Sequence, residues 1–211
     1  MTHVPVVFGL ALMFAGLARP ASQPVAVLMQ FDAPYSGPAL QAMRREVDSI
    51  LQPAGYQLEW HLLKPDSASR EYSDLVVVHF QGRCEAGGES GTVENGQSLA
   101  STAVSDGRVL PFSEVHCDQV RRFIAASMAG PAASHSPGIM GRALGRIVAH
   151  EMFHMLAATG QHGKRGVARP SHTTQELVSG REFRLDTADL HLLQAIRRPA
   201  PAVLEDPPHA R

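Results

Sequence analysis

The sequence predicts an α/β fold: a mixed, twisted sheet packed around one buried helix, followed by a small, mostly helical C-terminal part. Three observations carry the prediction. Short apolar runs and alternating runs, the two signatures of β-strands, fill the first half of the chain with one amphipathic helix among them. A long stretch around residue 147 is apolar about most of a helical circumference, which marks a helix enclosed on nearly all sides. The composition, 44% hydrophobic and 18% charged over 211 residues, is that of an ordinary globular chain able to bury a core in one domain.

The chain opens with an uninterrupted apolar run, Val6 to Ala18, followed by Ala18-Arg19-Pro20-Ala21-Ser22. About 13 residues suit the hydrophobic region of a secretory signal and fall short of the ~20 needed to span a bilayer. A signal peptide over 1–18, cut after Ala18, is therefore expected, giving a secreted or periplasmic protein with no remaining membrane anchor. The residues ahead of the run are poor in positive charge, and a buried N-terminal strand or helix is the alternative.

The folded domain is expected over 24–197. Val25 to Gln30 reads as a strand covered on both faces. Over 39–51, Leu40, Met43, Val47, Ile50 and Leu51 share one helical face opposite Arg44, Arg45, Glu46 and Asp48; Pro53 and Gly55 stop this helix. Tyr56 to Leu63 alternates as a half-buried strand does, and Leu75 to Phe80 reads as a second fully buried strand. Residues 82–98 form a polar loop. A hairpin follows, Leu99 to Val104 and Arg108 to Val115, turning at Ser105-Asp106-Gly107, with Pro111 marking an edge or a bulge. Residues 118–128 are expected to be helical, 130–138 a loop, and 139–159 the long buried helix. The Pro- and Ala-rich stretch 198–211 has the composition of a disordered tail.

A net charge of −1, without a basic stretch interleaved with aromatics, gives no electrostatic footprint for nucleic acid or an anionic membrane surface. The two cysteines, Cys84 and Cys117, suit one disulfide in an exported chain; two buried thiols are the alternative.

The buried helix carries His150-Glu151-Met152-Phe153-His154, an HExxH string. Histidines at i and i+4 stand one above the other, so both imidazoles can reach one metal ion. Glu151 between them can take a proton from water activated at that metal, the arrangement of a zinc hydrolase. With 11 His in the chain, an accidental match arises in roughly 3% of such sequences. The setting argues against accident, because buried polar side chains are costly unless partnered and a metal would partner them.

Catalytic zinc usually takes three protein ligands and a water. Gly160 is placed to end the helix in a left-handed conformation, and His162, just beyond the turn, is the candidate third ligand. Two alternatives remain. Glu176 stands in Thr173-Thr174-Gln175-Glu176, which reads better as a helix capping box; His172 could be a ligand or an oxyanion donor. His79 reads as a satisfied core histidine rather than a ligand, and His116 and His135 as surface loop residues. Arg184 and Asp186 read as an ion pair or a helix cap.

The segment HEMFHMLAATGQH resembles the zincin metallopeptidases, and the β-α-β-β-hairpin-helix order before it resembles the N-terminal half of their metzincin branch. The resemblance covers 25–160 as topology and 150–162 as motif. It implies that His150 and His154 bind zinc, that Glu151 is the general base, and that a peptide or protein substrate adds to an edge strand, either 99–104 or 108–113. The chain departs from the metzincin pattern HExxHxxGxxH: Ala157 and Gly160 stand where Gly and His belong, and His162 comes two residues late, implying an extra half-turn of helix. No methionine follows Met155 to form a Met-turn, and no tyrosine follows the motif. The function these residues imply is a secreted zinc metallopeptidase, a zinc endopeptidase; the alternative is an inactive zincin-like protein that binds a metal or a partner.

Overall fold

The computed structural model describes residues 24–63, 71–87, 98–125 and 136–197. The expected signal peptide, the 198–211 tail, most of the 82–98 loop and His135 lie outside these residues. The first strand, β1 (Val25–Phe31), is buried from Val25 to Met29, as an apolar run with no alternation predicts. Helix α1 (Gly37–Leu51) starts two residues ahead of the predicted position. Ser36 caps it by accepting a hydrogen bond from the Ala39 N–H, and Pro38 occupies the first turn. A single 3₁₀ turn, Gln52–Ala54, ends at Gly55, whose φ of 87° only glycine adopts at no steric cost.

Strands β2 (Leu58–Leu62), β3 (Leu75–Gln81), β4 (Ala100–Ser105) and β5 (Arg108–His116) complete one sheet in the order β2-β1-β3-β5-β4. β1 lies parallel to β2 and β3, β3 lies parallel to β5, and β4 runs antiparallel to β5 along the edge. The sheet is therefore mixed, as expected. Asp106 at φ 51° and Gly107 at φ 74° make the β4–β5 connection, the two positive values that match a tight hairpin to the twist of its strands. The register shifts between Thr102 and Val104, opposite the stretch of β5 that holds Pro111, which has no N–H to give the ladder.

Helix α2 (Cys117–Ala125) leads away from β5, and α3 (Pro137–Ala157) is the long buried helix. Two short helices, α4 (Thr174–Val178) and α5 (Thr187–Arg197), form the C-terminal part. Along α3, Met140, Leu144, Val148, Met152 and Phe153 are buried, each contributing about 1.5–3 kcal/mol relative to exposure. Gly141 and Gly145 let α1 approach closely. A Cβ on Gly145 would stand 2.6 Å from Glu46 Cβ, and one on Gly141 2.6 Å from Ala42 Cβ. Larger residues there would push the helices apart.

The structure corrects one expectation for the sheet. β3 is not enclosed on both sides: Val76, Val78 and Phe80 are buried, whereas Leu75, Val77, His79 and Gln81 are half-covered. The core shared with α1 and α3 lies on the first face, and an apolar run does not reveal which of its two faces a helix covers.

Cys84 and Cys117 form a disulfide with Cα atoms 4.9 Å apart. It ties the turn after β3 to the first residue of α2, the connection the sequence predicts. Arg146 is a feature the apolar reading of α3 missed. Its guanidinium, 2% exposed, lies 2.7 Å from Glu46 on α1 and also donates to the main-chain oxygens of Glu176 and Arg181. One buried cation thus joins α1, α3 and the C-terminal part, with every bond charge-assisted.

Candidate metal centre

His150 and His154 occupy successive turns near the end of α3, and each ring is fixed through its Nδ1. His150 Nδ1 lies 2.8 Å from Val167 O and His154 Nδ1 2.7 Å from Thr159 O. Those carbonyls accept the Nδ1 protons, which leaves each Nε2 with a lone pair. The two Nε2 atoms stand 3.2 Å apart. Burial is the largest influence on both rings and lowers their pKa, the carbonyl bonds opposing it in part. The rings are therefore held neutral, the state that ligates metal.

His162 joins them. Its ring centre is 4.8 Å from that of His154 and 5.3 Å from that of His150. One nitrogen from each of the three rings lies within 4.8 Å of the others. Two lone pairs facing each other, with a third ring beside them, are a donor set that fits a cation; a tetrahedral zinc would keep one position open.

The route to His162 differs from the expected one. The helix does not gain half a turn and Gly160 does not end it; α3 stops at Ala157, and Ala158 adopts the left-handed conformation at φ 47°, ψ 41°. Thr159 is then tied twice to His154: its N–H donates to His154 O at 3.1 Å, and its carbonyl accepts from the His154 ring. Gln161 N–H bonds Thr159 Oγ1 at 3.1 Å. The late histidine is accommodated by this loop rather than by more helix.

Glu151, 6% exposed, lies beside the histidines. Burial raises its pKa above the ordinary carboxylate value; Thr102 on β4 and then His154 and His162 oppose the rise. Thr102 Oγ1 donates to Glu151 Oε2 at 2.6 Å. Sequence reasoning missed Thr102, since nothing in a hairpin strand marks one hydroxyl as reaching a helix 49 residues away.

The remaining candidates stand apart from the three-histidine cluster. His172 turns Nε2 to Val167 O at 3.1 Å and Nδ1 toward Arg169 at 3.4 Å, its ring centre 5.8 Å from that of His150. Glu176 is engaged elsewhere: Arg169 reaches both its oxygens at 2.7 and 2.6 Å, and it closes the capping box of α4 with Thr173. The Thr173 N–H is the main reason its pKa is held down to about 2. Asp186 caps α5 by accepting from the Asp189 N–H at 2.9 Å, while Arg184 pairs with Glu182. His79 is bonded to Asp32 at 2.6 Å. His116 is not a loop residue: it ends β5 and meets Gln81 at 3.0 Å.

A cleft of about 580 Å³ opens over this cluster. The edge strand forms one wall with Leu99 to Thr102, and His172 and Pro170 another. Phe123, Ile147 and Leu177 contribute apolar lining to the same cleft. Of the two strands considered for peptide addition, β4 is the edge, because β5 is paired on its other side with β3 from Phe112 onward.

No protein-family model matches the chain, and no curated protein does. Among solved structures, the fold is similar to the crystal structure of archaemetzincin from Methanopyrus kandleri, with a TM-score of 0.52 and 13% identity, over 85% of this chain and 98% of that one. At that identity what is shared is the fold. The chain has a zincin-like α/β fold, with three histidines that could hold a metal ion at the end of its buried helix.

Proposed function

We propose that this chain is a zinc metallopeptidase in which His150, His154 and His162 hold the metal and Glu151 is the general base. The observation that carries the reading is the convergence of three imidazoles beside one buried carboxylate, lining a cleft that an edge strand also lines. A bound zinc would supply Lewis acidity, polarising the scissile carbonyl and acidifying the attacking water. Glu151 takes the proton from that water and passes it to the leaving amine. An extended peptide aligns along the free side of β4, its main chain completing the sheet edge and its side chains meeting the apolar lining of the cleft. Export through the 1–18 leader suits the disulfide, which persists in an oxidising compartment; no helix among the described residues is long and apolar enough to cross a membrane.

The test is Glu151→Gln in the full protein. Hydrolysis of a fluorescently labelled, denatured protein should fall by about 10³-fold or more while one zinc per chain is retained by elemental analysis. Undiminished hydrolysis removes Glu151 from the chemistry. Zinc retained by the wild type without hydrolysis favours a non-catalytic metal-binding protein.

A further inference from the structure

Thr102 lies on the edge strand β4, beside the point where the register of β4 and β5 shifts. Its hydroxyl is 2.6 Å from Glu151 Oε2 and 3.3 Å from the main-chain oxygen of the same residue. A hydroxyl has one proton, and the shorter bond to a carboxylate outcompetes the longer one to a neutral carbonyl. Glu151 is flexible along its side chain and nearly enclosed, so the second carboxylate oxygen determines where the first one points. With Oε2 held by Thr102 on β4, Oε1 is the carboxylate oxygen left for the proposed chemistry.

We propose that Thr102 is the positioning residue for Glu151, holding one carboxylate oxygen from the substrate-binding edge so that the other meets the reacting water. The inference rests on the reading of Glu151 as general base. It gives the edge strand a second role, because the strand that would align the peptide also aims the base. A peptide that displaced β4 would disturb both together.

Three proteins test it: the wild type, Thr102→Val, which keeps the branched shape without the hydroxyl, and Thr102→Ser, which keeps the hydroxyl without the methyl. Crystal structures of the zinc-loaded proteins without substrate should show the Glu151 carboxylate in place in the wild type and the Ser variant, and rotated away in the Val variant. With the labelled protein substrate, Thr102→Val should lower kcat about tenfold with KM within about twofold, and Thr102→Ser should recover most of it. Zinc content and Tm should be alike in all three. A Val variant with Glu151 unmoved and kcat unchanged overturns the proposal. So does a Ser variant as impaired as the Val variant, which would mean that β4 supports α3 by shape alone. If Glu151 moves in the Val variant while none of the three hydrolyses the substrate, the positioning role stands and the peptidase reading fails.

Discussion

Ala158 carries a sharp local contradiction: a residue with a Cβ in the left-handed region, at the point where the helix bearing His150 and His154 ends. Its conformation costs roughly 1–2 kcal/mol that glycine would not incur, and it persists because Thr159 is tied to His154 by main chain and ring together. Ala158→Gly should therefore stabilise the protein by about 1 kcal/mol, after allowing for the freer unfolded chain. Urea unfolding measures this, and a destabilised variant would show that the Ala158 methyl packs usefully. The same residue explains why the sequence misplaces the turn: Gly160 is the better left-handed former by type, but the bonds around Thr159 settle the position.

Among the elements, α5 carries Asp189 against the loop bearing His162, and Asp186 caps its start. Asp189 is 7% exposed, and its Oδ2 lies where a Cβ on Gly163 would stand, 2.5 Å away. Burial, and then the charge of Asp186, raise its pKa to about 6. The folded pKa thus exceeds the unfolded value of roughly 3.9. The favourable contribution is fully present below about pH 4 and is lost as pH rises through 6. Asp189→Asn should be more stable than the wild type at pH 7, with the difference shrinking to nothing by about pH 4. Thermal unfolding across pH 4–7 checks this, and a constant difference over that range counts against a titrating Asp189. Glu176 has the opposite sense, its pKa held down at the start of α4. It illustrates how a capping box read from four residues (Thr173 to Glu176) survives intact in the fold, because a cap is a local structure.

For the whole molecule, the candidate centre joins segments that share no local code. α3 supplies His150, Glu151 and His154, the loop after it His162, the edge strand Thr102, and Val167 O orients a ring. A metal bound only by the folded state adds to stability, about 2.7 kcal/mol when free metal is a hundredfold above its dissociation constant. Removing metal with a chelator should lower Tm by several degrees, on the order of 2–4 °C per kcal/mol for a domain of this size, and added zinc should restore it. An unchanged Tm in chelator, with metal analysis confirming removal, would leave the histidine cluster without a bound ion to explain it.

Much of this protein was legible without coordinates, and the pattern of what was not has a physical basis. The strand and helix periods, the Asp106-Gly107 turn, the α4 capping box and the HExxH string depend on residues within about ten positions of one another, where spacing alone fixes which side chains share a face. The disulfide followed from an even cysteine count. Tertiary structure decided the rest: which face of β3 is covered, that Arg146 can be buried within an apolar helix, and that Thr102 meets Glu151. Each depends on groups far apart in sequence whose contacts are set by how helices and sheet pack. The sequence determined the chemistry available at the end of α3; packing determined which oxygen and nitrogen atoms face one another there.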